Sequence, residues 1–320
     1  MTPGLPFSKM QAVGNDFVVI EEAVWGATND WAQAAIRLCN RHNGIGSDGL
    51  LVVCPSEVAD LRMRMFNPDG TEDMCGNGLR CVVRWAFEHG SFVDGTDKPS
   101  GSVETLDGVR NVGLIVYEDS IVEEIWTEMA EPRFSPTDLP SNISGYDTLI
   151  DFPLVVEQVK VVVSTINTGS THTVIWSDAL PNDETFLSLS PKIEHHSLFP
   201  ERTSVIWAKP AHDNTLEVRI WERGVGETLG CGTGAVAVAV LAALGGKSAR
   251  TVSLSERNTR PKRRSPPVKQ SFNIRVTSRG GELNVLYDID TRNKPYEQGS
   301  SPLLIGMACI VYSGVVSHTV

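Results

Sequence analysis

The sequence lacks any run of the ~18 apolar residues that a membrane-crossing helix needs, and it has no Cys-x-x-Cys pair of the kind that holds structural zinc. Behind its first residues there is no basic stretch followed by an apolar run. No secretory leader is therefore expected, and a cytoplasmic location is. Positive charge is in short supply. Lys and Arg total 28 against 39 Asp and Glu, a formal charge of −11. That balance argues against nucleic acid and against an anionic membrane as partners, because both are themselves negative. A small anionic substrate remains allowed, since it answers to the local field of its pocket. Six cysteines in 320 residues are too sparse for a disulfide scaffold and read as reduced thiols. The seven histidines show no ligand spacing beyond the adjacent His195-His196, which reads as loop surface, so no metal is expected.

What is present describes a globular protein of about two domains, with 41% hydrophobic residues to fill their cores. Strands are expected at 7–10 and 17–20, broken by Gly14-Asn15-Asp16. Asn29 or Asp30 is a candidate cap for a helix reaching about Arg41. Alternation at 61–66 and between 102 and 128 predicts half-buried strands, as do β-branched runs at 159–166 and 173–176. Further strands are expected at 204–209, 215–221, 272–277, 283–287 and 303–312. The segment 255–270, SERNTRPKRRSPPVKQ, is basic, holds three prolines and has no periodicity. It reads as a solvated loop or hairpin tip, with a basic docking patch as the alternative.

Two segments carry chemistry. Phe66-Asn67-Pro68-Asp69-Gly70-Thr71-Glu72-Asp73-Met74 leads into Cys75-Gly76-Asn77-Gly78. Trp221-Glu222-Arg223-Gly224-Val225-Gly226-Glu227-Thr228-Leu229-Gly230 leads into Cys231-Gly232-Thr233-Gly234. Each reads as strand, acidic loop, Cys-Gly-x-Gly, helix, an internal duplication of layout with one copy per half. A sulfur at a helix start meets the positive end of the helix dipole, which favours thiolate. The glycines allow a ligand to approach the open N–H groups of the first turn, which suit a carboxylate and the charge that builds on it when an α-proton leaves. One thiolate and one thiol on opposite faces of a carbon can invert its configuration, and reversing their protonation serves the other stereoisomer. No pyridoxal phosphate is implied, and the expectation is no cofactor.

With these residues in view the chain resembles the diaminopimelate epimerase family over nearly its whole length. The resemblance runs through Lys9-Met10 with Gly14-Asn15-Asp16-Phe17, through Arg41-His42-Asn43-Gly44-Ile45-Gly46-Ser47-Asp48-Gly49, through 66–81 and 221–235, and into the tail strand 306–314. It implies an α/β (α+β) fold of two pseudo-symmetric domains, each a curled mixed sheet or barrel around a central helix, with the site in the cleft between them. The expected boundaries are 1–128, carrying Cys75 and completed by a C-terminal strand at 312–320, and 129–311, carrying Cys231. It implies PLP-independent epimerisation of L,L- to meso-diaminopimelate, in lysine and peptidoglycan biosynthesis, with Cys75 and Cys231 as the acid–base pair. Gly76, Asn77, Gly232 and Thr233 would clamp the α-carboxylate. Glu222 and Arg223 would hold the amino and distal carboxylate groups, and Asn15 and Asn67 the polar ends. His172 falls where the family places a histidine near the cysteines. The partner is a small amino-acid substrate, and a homodimer is one assembly compatible with the sequence.

Each implied role has a structural rival. Asn15 and Asn67 also suit turns, Arg223 suits an ion pair with Glu222 or Glu227, and His172 suits a buried hydrogen-bonded histidine. The family usually has Gly-Asn-Pro-His where this chain has Gly169-Ser170-Thr171-His172, and asparagine where it has Ser204; the loop from Asn67 to Cys75 is one residue short. Ser170 and Ser204 keep a hydroxyl but lose the longer amide at the far end of the substrate, where water can bridge. They motivate one alternative, an epimerase or racemase of another amino acid. A non-catalytic binding protein is the other, against which the retention of both cysteines counts.

Overall fold

Phe7-Ser8-Lys9-Met10 and Phe17-Val18-Val19-Ile20 lie in antiparallel strands whose two-residue connection, Val13-Gly14, has positive φ at both positions, as the primed turns that suit strand twist require. In the computed structural model, which describes residues 4–26, 30–92, 100–116, 123–245, 269–290 and 300–317, the chain divides into two units. One comprises Met1–Glu128 with Ile305–Val320, the other Met129–Leu304. The C-terminal segment thus joins the first unit from Ile305, whereas the sequence suggested 312. Most of the 255–270 segment lies outside the described residues.

The first unit contains β1 (Leu5–Ala12), β2 (Asn15–Glu21), α1 (Glu22–Trp25), α2 (Trp31–Leu38), β3 (Gly49–Cys54), β4 (Leu61–Phe66), β5 (Glu72–Asp73), α3 (Gly76–Glu88), β6 (Ser100–Thr105), β7 (Gly108–Val116) and β8 (Glu123–Glu128). The second contains β9 (Phe152–Val156), β10 (Val159–Asn167), β11 (Thr171–Trp176), α4 (Asp183–Glu194), β12 (Ser204–Pro210), β13 (Thr215–Glu222), β14 (Gly226–Thr228), α5 (Gly232–Leu244), β15 (Lys269–Ser278) and β16 (Gly281–Asp290). Then β17 (Leu303–Gly306) crosses the unit boundary, and β18 (Cys309–Val316) returns antiparallel to β1. The single tail strand expected at 303–312 is thus two, interrupted at Met307-Ala308.

The two units repeat one connectivity. In the first, β1 and β2 are antiparallel, β2 and β3 parallel across α2, β3 and β4 antiparallel, β5 folds back on β4, and β6 joins β4 in parallel before pairing with β7. In the second, β10, β11, β12, β13, β14, β15 and β16 do the same, with α4 as the crossover. The fold is thus mixed α/β, a curled mixed sheet with few helices, as expected. Within each unit a cysteine-led helix lies against the sheet. Around α3, Phe17, Leu51, Leu79, Val82, Val83 and Ile125 are all buried. The α5 segment, alanine- and valine-rich, is buried from Ala235 to Ala243, so that tertiary packing offsets the low helix propensity of its valines.

α4 is absent from the sequence expectation. Pro191 stands inside it, a residue that removes a backbone donor and normally ends a helix. Its start is well marked, however: the Asn182 side chain accepts from the Thr185 N–H at 2.9 Å, with Asp183 and Glu184 in the first turn. Asp30 caps α2 in the same way, accepting from Gln33 at 3.1 Å.

Candidate active site

Each signature cysteine is a helix N-cap, and their backbones nearly coincide: φ −137, ψ 116 at Cys75 and φ −130, ψ 119 at Cys231. In both, Sγ accepts from the N–H three residues on, at 3.5 Å from Gly78 and 3.4 Å from Gly234. The two short hairpins β4–β5 and β13–β14 deliver the chain to these caps. Both are braced by the same bond. Arg64 donates through Nε and Nη2 to the two carboxylate oxygens of Glu72 at 2.8 Å each, and Arg219 to Glu227 at 2.8 and 3.1 Å. These are two-point guanidinium–carboxylate pairs, and they hold Glu72 and Glu227 below the usual carboxylate range. Both arginines also cover an aromatic ring, Arg64 on Phe66 and Arg219 on Phe186. Of these four charged residues only Glu227 was singled out in the sequence, as a rival partner for Arg223, although Arg64–Glu72 and Arg219–Glu227 share one spacing.

The glycines of the two motifs have separate tasks. A Cβ on Gly78 would lie 2.8 Å from Leu51 Cδ2, and one on Gly234 would lie 2.7 Å from Ile206 Cδ1. Leu51 and Ile206 sit on the matching strands β3 and β12. The second glycine of each motif therefore lets the helix close onto the sheet.

In the first unit Asn15, Cys75, Gly76 and Asn77 are brought together. Asn15 Oδ1 accepts from Cys75 Sγ at 3.7 Å and from Asn77 Nδ2 at 3.4 Å, while its own Nδ2 donates to Asp48 at 2.8 Å. Arg80, fully buried, donates to Asn77 Oδ1 at 2.6 Å and to the Gly76 carbonyl at 3.3 Å. Asp48 and Asp16 meet Arg41, and Lys9 reaches Asp16 at 2.5 Å. Burial alone would raise the Asp16 carboxyl, but the hydrogen bonds from Arg41 and Lys9 outweigh it and hold it well below its ordinary range. Asn67 stands apart in the hairpin turn, bonded through Nδ2 to Thr71 Oγ1 at 3.1 Å, the turn role the sequence allowed.

In the second unit Cys231, Gly232, Thr233, Ser170 and His172 cluster. His172 Nε2 is 3.0 Å from both Ser170 Oγ and Thr233 Oγ1, and Thr233 Oγ1 is 3.4 Å from Cys231 Sγ. The ring is fully buried, its Nδ1 finds no hydrogen-bond partner among the described residues, and burial, helped by the Arg223 charge, pushes its pKa down to about 3. Ser204 accepts from the Arg223 N–H at 3.1 Å, and Glu222 accepts from Thr228 Oγ1 at 2.5 Å. Arg223 is exposed and donates to the Glu201 carbonyl at 3.3 Å. Neither Glu222 nor Glu227 is its ion-pair partner among the described residues.

None of the remaining cysteines is a helix N-cap among the described residues. Cys39, Cys54 and Cys81 are buried, and burial raises their thiols, Cys54 to about 12. Cys309 is partly exposed at the start of β18, where Gln11 Nε2 donates to it at 2.8 Å. No group of three or more metal-ligating side chains is found among the described residues, and no helix there is long and apolar enough to cross a membrane.

The model of a family described as diaminopimelate epimerase matches residues 7–125 and 164–303. The chain is 42% identical over 250 residues to the diaminopimelate epimerase of Caldanaerobacter subterraneus subsp. tengcongensis, covering 78% of this chain and 87% of that protein. With that of Desulfovibrio desulfuricans it shares 38% over 260 residues, covering 79% and 88%. Among solved structures, a hydroxyproline epimerase from Agrobacterium vitis aligns with TM-score 0.66 at 13% identity, over 98% of this chain and 90% of that one. A Bacillus anthracis protein of the PhzF phenazine-biosynthesis family aligns with TM-score 0.64 at 17% identity, over 98% and 99%. At such identities the two structures speak for the fold alone.

Proposed function

The chain belongs to the diaminopimelate epimerase family, and on that premise we propose that it interconverts L,L- and meso-diaminopimelate by proton transfer between Cys75 and Cys231. It is an isomerase of lysine and peptidoglycan biosynthesis, acting on a small amino acid. The observation that carries the mechanism is the duplication of one device: a thiol capping a helix, in the same backbone conformation, after the same braced hairpin, in two units of one connectivity.

The proton accounting is simple. One sulfur, as thiolate, takes the α-proton and becomes a thiol. The other, as thiol, gives its proton to the opposite face and becomes a thiolate. The electron pair left on the α-carbon spreads into the α-carboxylate, whose added charge suits the first-turn N–H groups at Gly76, Asn77, Gly232 and Thr233. Exchange between two thiols requires no cofactor. Asn15, Glu222 and Arg223 are the remaining contacts proposed for the substrate, and a cytoplasmic location fits this reaction.

The test is incorporation of solvent deuterium. In D2O, both L,L- and meso-diaminopimelate are expected to gain deuterium at an α-carbon, and Cys75→Ser and Cys231→Ser each to slow this by at least ~100-fold, the lower end of the range for losing a positioned acid or base. Ser170 and Ser204, in place of the family's usual asparagines, favour a second reading in which the substrate is another amino acid. Label entering only some other member of an amino-acid panel would establish that reading and end the first.

A further inference from the structure

The two cysteine turns share a backbone but not their side-chain surroundings. In the register of the parallel pairs, Phe17 faces Gly49 on β3 as His172 faces Ser204 on β12. Counting from these pairs, Asn15 corresponds to Ser170 and Asp48 to Thr203. Counting from the cysteines, Asn77 corresponds to Thr233 and Arg80 to Val236. The first unit uses amides strung between two charges, where the second uses hydroxyls.

That difference gives each sulfur one side-chain neighbour of different chemistry. Asn77 must turn its carbonyl oxygen to the Arg80 guanidinium, because an amide NH2 cannot accept from it. Asn15 must turn its NH2 to the Asp48 carboxylate, because an amide oxygen cannot donate to it. The two amides therefore align head to tail, Asn77 Nδ2 donating to Asn15 Oδ1, and the atom left facing Cys75 Sγ is an oxygen that can only accept. An acceptor stabilises the S–H form. Beside Cys231 the facing atom is the Thr233 hydroxyl, which rotates and can donate. Its other neighbour favours that direction. A buried N–H without a partner is rarer than a bare acceptor, so the unpartnered Nδ1 of His172 puts the ring proton on Nε2. That proton points at Thr233 or Ser170 and leaves the Thr233 O–H to donate onward to sulfur. The N–H donors from Gly78 and Gly234 are matched and cancel in the comparison. Among the described residues, Arg80 and Asp48 hold the two amides beside Cys75, with the Cys81 and Cys309 thiols in the same neighbourhood, and His172, on which the Arg223 charge acts, lies beside Thr233.

Resting on the epimerase reading, we propose that the thiols are unequal before substrate arrives: Cys231 rests as the thiolate and is the first base, and Cys75 rests as the thiol and is the first acid. Asp48, Asn77 and Arg80 are positioning residues for this state and act through Asn15. After one turnover the proton is on Cys231 and the charge on Cys75, so the enzyme must either process the opposite stereoisomer or exchange a proton with water to return.

The substrate-free enzyme is alkylated with iodoacetamide from about pH 6 to about pH 10, spanning the ordinary thiol range, and the Cys75 and Cys231 peptides are quantified by mass spectrometry. Because each midpoint is read from its own pH profile, unequal access to the two sulfurs does not enter. The midpoint for Cys231 is expected about one pH unit below that for Cys75, the scale of a single hydrogen bond to a charged group; equal or inverted midpoints would overturn the proposal. Asp48→Asn and Arg80→Met separate orientation from charge. Simple attraction predicts opposite shifts, because one variant removes a negative charge and the other a positive one. Release of the Asn15 amide predicts that both lower the Cys75 midpoint, and opposite shifts would refute the relay. Thr233→Val should raise the Cys231 midpoint and Thr233→Ser restore it; no change in Thr233→Val counts against the donor role. Should Arg80→Met not fold, the wild-type order still decides which sulfur rests as thiolate, and a Cys75 midpoint that Asp48→Asn leaves unlowered would still refute the relay. No substrate is present, so a failure to label diaminopimelate would bear on the proposed function and leave these midpoints standing.

Discussion

At His172 the chain places an ionisable ring where ionisation is disfavoured, and stability should record this. In the folded state the ring takes a proton only near pH 3, because burial opposes the charge, whereas in the unfolded chain it does so near its model value of 6.5. Between those limits the unfolded state binds more protons, so stability rises with pH through this window and is lost as pH falls from about 6.5. Urea unfolding of His172→Asn at several pH values should show a shallower acid-side slope than wild type; an unchanged slope would assign the acid sensitivity elsewhere. Gly78 and Gly234 make a second claim. Alanine at either must push the helix off Leu51 or Ile206, at a cost of about 1–3 kcal/mol for overpacking, measurable by the same unfolding. That Cys75 and Cys231 start helices was legible because a cysteine followed by Gly-x-Gly is written in adjacent residues. The burial of Arg80 was not, because a charge inside a helix reads as a solvent-facing position until the neighbours are known.

The elements that matter most are the two hairpins, β4–β5 and β13–β14. Their Arg–Glu pairs fix the strand from which each cysteine leaves. Arg64→Met and Arg219→Met are each expected to cost about 1 kcal/mol in stability, as for a partly exposed ion pair, while lowering kcat more than they raise KM. A loss confined to KM would show that the hairpins serve binding and not the placing of sulfur. The strands themselves follow from alternation, which a single segment reveals. α4 escaped because Pro191 contradicts a helix locally, while Phe186 and Ile193 bury themselves in the second unit's core and outweigh it. The tail was read as one strand because its apolar run is continuous; Met307-Ala308 breaks it, and Ala308 turns into the core around α3.

For the molecule as a whole, the chain's last strand belongs with its first. β18 pairs with β1 from Leu5 to Gln11, so that Ser8 meets Ser313, 305 positions away. Ending the chain at Leu304 would leave β1 with β2 alone and strip α3 of the Ala308 and Ile310 contacts. Such a truncation should lose the protease resistance of the first unit while Met129–Leu304 keeps its own; equal resistance of both would show that β18 is dispensable.

Strand positions, the two cysteine caps and the family were readable along the chain because each depends on residues a few places apart, where backbone geometry imposes the spacing. The partners of those residues were not. Asp48 beside Asn15, His172 beside Thr233, and the return of β18 to β1 join segments tens to hundreds of positions apart. No local pattern encodes such pairings, because they arise from how sheet and helix close over a shared core. Linear order supplied two similar thiols, and folding around them gave one an amide oxygen and the other a hydroxyl.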